Sequence, residues 1–118
     1  MSSEKGTNPA EKKVAANERE RPLTKAAVLE YCAQAYHVTI EDVDMREAYN
    51  EQQVLTLLQF PVVYRGRRVV FEYKRAIVGG KPSVGLYVFW KEDEEQPEHL
   101  AKYFEESGEW RDLKNFVR

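Results

Sequence analysis

Cysteine is almost missing from this sequence: Cys32 stands alone, so no disulfide can form within the chain. Histidine is nearly as scarce, with only His37 and His99. One cysteine and two scattered histidines offer none of the spacings that a metal site needs. The acidic run Glu92-Asp93-Glu94-Glu95 lacks the spaced ligands and glycine of a calcium-binding loop, so no metal is expected. No apolar run approaches the roughly 20 residues of a membrane-spanning helix, and the first residues are polar rather than leader-like. These absences lead us to expect a reducing, cytoplasmic setting and no membrane partner.

A phosphate-binding loop is missing too. Gly79-Gly80-Lys81-Pro82-Ser83 has the wrong spacing, and Pro82 would interrupt the helix that must follow. Catalytic constellations are equally scarce. Cys32 sits on the apolar side of an expected helix, where a small core residue is the simplest reading. His37 lies roughly a turn and a half further on, out of line for a thiol–imidazole pair. Neither histidine has a sequence-level partner for acid–base work. No enzyme activity and no cofactor are expected.

Overall charge is −2 with a pI of about 5.8, which argues against coating nucleic acid through bulk charge. The distribution is uneven, however. Arg65, Arg67, Arg68, Lys74, Arg75 and Lys81 face only Glu72 within one stretch, and residues 92–109 are strongly acidic.

What is present suits one small domain. With 42% hydrophobic and 12% aromatic residues, the chain has enough apolar material for a core without staples. That material begins near Leu23. Residues 1–22 are polar and bury too little to offset their ordering entropy, so a disordered tail is expected there. Residues 23–118 are expected to form a single α+β domain.

Thr24 is a fitting N-cap for a helix to Tyr36, with Val28, Leu29, Cys32, Ala35 and Tyr36 on one face. Thr39 and Asp42 suggest a capping box, hence a second helix carrying Met45, Ala48, Tyr49 and Gln52. Residues 54–60 are ambiguous between helix and strand; a strand from about Val54 to Tyr64 is favoured, with Pro61 at a bulge or edge. Arg65-Gly66-Arg67 and Gly79-Gly80 then punctuate Val69–Tyr73 and Val84–Trp90 as further strands. Pro97 at a first helical position, the stripe Leu100, Tyr103 and Phe104, and Gly108 as a stop predict a C-terminal helix. Trp110, Leu113, Phe116 and Val117 predict another. The expected fold is therefore a three-stranded antiparallel meander with two helices before it and one or two after it.

The third strand is apolar on both faces, so Tyr87 and Phe89 either join the core or mark a partner surface. The leading expectation is a non-enzymatic protein–protein interaction module, such as an adaptor, inhibitor or regulatory subunit, whose protein partner is unidentified. The alternative is a nucleic-acid-binding domain that uses the basic hairpin Arg65–Lys81. Both readings draw on Arg65, Arg67, Arg68, Lys74, Arg75, Tyr87 and Phe89. No oligomeric state follows from the sequence.

Overall fold

The computed structural model describes residues 21–41, 43–91 and 95–113. The tail expected over residues 1–22 thus lies almost wholly outside the described residues. One helix, α1 (Lys25–Tyr36), precedes seven strands. They are β1 (Thr39–Ile40), β2 (Arg46–Tyr49), β3 (Leu55–Tyr64), β4 (Arg67–Val78), β5 (Lys81–Phe89), β6 (Glu98–Phe104) and β7 (Glu109–Asp112). All pair antiparallel in one sheet. Its order is β1-β3-β4-β5-β6-β7, and β2 pairs with β3 alongside β1. The sheet curls into a half-barrel.

This overturns the expected three-stranded meander with several helices. The predicted first helix is there, and Thr24 caps it: its hydroxyl accepts from the Ala27 N–H at 3.1 Å. The second helix is absent. Thr39 pairs with Val63 in β1, and Ala48 pairs with Leu57 in β2. The predicted helix after Pro97 is a strand (Glu98–Phe104), and Trp110 of the last predicted helix lies in the strand Glu109–Asp112. Pro97 precedes β6, and Gly108 (φ 73°) closes the β6–β7 turn, its N–H donating to the Phe104 carbonyl at 2.8 Å. Phe116 and Val117 lie outside the described residues.

The physical reason is visible in β6. The register shifts at Leu86/Tyr87, so Leu86 pairs with Ala101 while Tyr87 pairs with His99. The extra residue is Leu100, and such a bulge breaks the two-residue alternation of a strand. Leu100, Ala101 and Tyr103 all become buried. Read as letters, that spacing imitates a helical stripe.

The strand readings in the middle of the chain fit better. The ambiguous residues 54–60 lie almost entirely in β3. Arg65 and Gly66 both have positive φ (54° and 75°), as do Gly79 and Gly80 (59° and 80°). Each pair forms a two-residue turn whose backbone twist matches the strands it joins.

The inner face of the curl holds the core. Leu58, Phe60, Val62 and Tyr64 of β3 meet Val69, Phe71 and Tyr73 of β4, then Val84, Leu86 and Val88 of β5. Helix α1 fills the hollow with Val28, Cys32 and Tyr36. The Tyr36 ring stands edge-on to Tyr64 and Phe71, and its hydroxyl donates to the Leu100 carbonyl. Tyr31 stacks on Trp110 of β7 at 4.0 Å, tying the helix to the last strand. One side of the sheet is thus covered. The convex side has no helix against it among the described residues.

Candidate functional site

Charged side chains occur on both sides of the sheet. The acids of the concave side mostly have partners. Glu105 and Arg75 form a two-point pair (2.7 and 3.1 Å) with 2% and 6% of their side chains exposed. Glu47 holds Lys25 of α1 at 2.8 Å, and Glu98 accepts from the Trp90 indole at 2.7 Å.

The convex side is organised in cross-strand rows, because residues two apart along a strand share a face and sit about 6.8 Å apart. One row is apolar: Pro61 pairs with Val70, and Val70 with Phe89. Arg68 lies two residues along β4 from Val70, and Lys91 two residues beyond Phe89. On the other side of the apolar row runs a mixed one: Arg46, Gln59, Glu72, Tyr87 and His99. Next comes Leu57, Lys74, Gly85, Lys102 and Arg111.

The apolar row, with Arg46 and Gln59 at one end of the mixed row and Arg68 and Lys91 on its other side, lines an open groove of about 1040 Å³. Its floor includes Pro61, Val70 and Phe89, and Arg46, Arg68, Lys91 and Asp44 stand around it. Val70 and Phe89 are partly exposed, whereas Pro61 is buried. Arg68 reaches Glu41 at 2.7 Å but keeps 62% of its side chain in water, so that pair contributes little and can be exchanged. Arg46 and Lys91 are exposed and have no ion-pair partner among the described residues.

In the mixed row, Gln59 donates to Glu72 at 2.6 Å. Tyr87 and His99 stack at 4.4 Å, nearly parallel. They lie over Gly85, where a Cβ would come within 2.8 Å of the Tyr87 hydroxyl and 2.9 Å of His99 Nε2. A larger residue at 85 would have to displace these two rings. Burial lowers the His99 pKa from its ordinary value, and the Lys102 charge adds to this; the Ala101 backbone works against both.

The seven residues singled out from sequence are dispersed. Arg68, Lys74, Tyr87 and Phe89 share the convex face. Arg75 turns inward to Glu105. Arg65 lies 5.1 Å over the Tyr64 ring, and Arg67 lies 5.3 Å over Trp90 while donating to its carbonyl. The basic stretch is one strand between two turns, so its ends stand roughly 35–40 Å apart. Sequence reading missed Arg46, Pro61, Val70 and Lys91, whose grouping depends on strand register alone. Cys32 is buried in the core, and burial pushes its thiol pKa well up, the reverse of an activated nucleophile. No group of three potential ligands gathers for a metal among the described residues. No helix among them is long and apolar enough to cross a membrane.

No protein-family model, no curated protein and no solved structure matches this chain significantly.

Proposed function

We propose that the protein is a non-enzymatic interaction module of the cytoplasm that docks a partner protein on the convex face of its sheet. The groove over the partly exposed Val70 and Phe89 carries the reading. It is apolar at its centre, cationic at its rim and open to solvent, the arrangement of a docking patch rather than of a packed core. The test is affinity capture from the source cell with the full chain and with Val70→Glu/Phe89→Glu. Melting curves should first establish that both are folded. A stoichiometric protein held by the wild type and lost about tenfold or more by the variant is expected, since buried charge without a partner is costly. Equal capture by both would remove the groove from consideration.

A second reading is favoured by the row Lys74, Lys102 and Arg111. Tyr87 and His99 lie beside it, and Arg111 sits 5.7 Å over the Phe104 ring. Cations interleaved with aromatics suit single-stranded nucleic acid. Lys74→Ala/Lys102→Ala should then weaken oligothymidylate binding and flatten its salt dependence.

A further inference from the structure

We infer that the partner presents an acidic–apolar segment, its apolar side chain on Val70 and Phe89 and its carboxylates at Arg68 and Lys91. This rests on the docking reading above and names what docks. The apolar row and the two cations beside it are separated by two residues along β4 and along the chain out of β5. That step is about 6.8 Å, the separation of alternate side chains in an extended peptide. A peptide with an apolar residue and an acidic residue at alternate positions matches it. Arg68 offers a planar, two-point carboxylate site once it exchanges Glu41 for the incoming group. Lys91 supplies a second, exposed cation on the neighbouring chain segment.

The opposite side of the floor decides between an acidic peptide and a phosphate backbone. Glu72 stands in the row next to Val70, paired with Gln59, and Asp44 is on the rim; Arg46, across Gln59 from Glu72, is the one arginine or lysine of that row. A nucleic acid carries a charge at every nucleotide and would bring phosphate against these carboxylates. A peptide can confine its charge to the side where Arg68 and Lys91 stand. The row itself agrees: Pro61 and Val70 are aliphatic, and Tyr87 already gives a face to His99. Phe89 is the one aromatic of the row, whereas single-stranded nucleic acid is held by stacking successive bases on several aromatic faces.

The experiment is a fluorescence-anisotropy titration of the full chain at low salt with three labelled probes. One is a short peptide repeating Leu-Ser-Glu-Ser, which when extended puts apolar and acidic side chains alternately on one face; the second has Lys for each Glu, and the third is oligothymidylate. The acidic peptide is expected to bind, to weaken with salt, and to lose about tenfold or more with Arg68→Glu/Lys91→Glu. Phe89→Ser is expected to weaken it without changing its salt dependence, which separates floor from rim. Equal or tighter binding of the lysine peptide would overturn the inference. So would oligothymidylate binding that depends on the same three residues, or silence from all three probes. Capture of the cellular partner that is lost with Val70→Glu/Phe89→Glu but survives Arg68→Glu/Lys91→Glu would also overturn it. That last result leaves the docking face standing and removes only its acidic occupant.

Discussion

Gly85 shows how one missing side chain shapes the convex surface. Tyr87 folds over it and meets His99 from the neighbouring strand, so an added methyl would strike both rings. Gly85→Ala should cost about 1–3 kcal/mol in thermal or urea denaturation and separate the two rings in NMR spectra. An unchanged melting curve would mean that Tyr87 swings aside freely. His99 gives the same place a pH dependence. Its folded pKa is lowered, chiefly by burial, so below about pH 6.5 the unfolded chain takes up a proton first. Stability is then lost as pH falls from that value towards the lowered one. A His99→Gln variant should lack this part of the profile. Inside the curl, Glu105→Ala leaves the Arg75 guanidinium buried without its two-point partner. A loss of about 3–5 kcal/mol is expected, and Arg75→Met/Glu105→Leu should recover most of it. A single-substitution cost below about 1 kcal/mol would show that water reaches the pair.

Among the elements, α1 is the one that local sequence specifies most directly. Thr24 supplies the cap, and Val28, Cys32 and Tyr36 recur at helical spacing and are buried against the sheet. Thr24→Ala should destabilise the protein by about 1 kcal/mol, measured by urea denaturation, because the Ala27 N–H loses its acceptor. The two glycine turns were equally legible, since positive φ at Gly66, Gly79 and Gly80 demands that residue type. Strand β6 was not legible. A bulge at Leu100 puts Leu100, Ala101 and Tyr103 inside together, a spacing that belongs to a helix in any local window. Strand β2 hid for a related reason. Its four residues are all exposed and its register slips between Ala48 and Tyr49, so no alternation marks it.

At the scale of the whole molecule, the seven strands among the described residues wrap α1, and tyrosine is a large part of what they enclose. Burial raises the pKa values of Tyr36 and Tyr73 far above the ordinary value, and Tyr31 and Tyr103 move the same way. Above about pH 10 the unfolded chain loses these protons while the folded one keeps them. Stability should therefore fall steeply as pH rises through about 10, with the urea midpoint as the readout. Tyr36→Phe should flatten the fall, at the cost of the bond to the Leu100 carbonyl.

The sequence by itself determined the first helix, the tight glycine turns and the strands around Val69–Tyr73 and Val84–Phe89, because each follows from neighbours in the chain. Only the tertiary structure decided the rest. Whether Arg75 faces Glu105 or water depends on a residue thirty positions away. Whether Pro61, Val70 and Phe89 make one surface depends on the register of three strands. Cross-strand register is set by long-range pairing and by bulges that no short window contains. That is why the convex groove could not be read until the strands were in place.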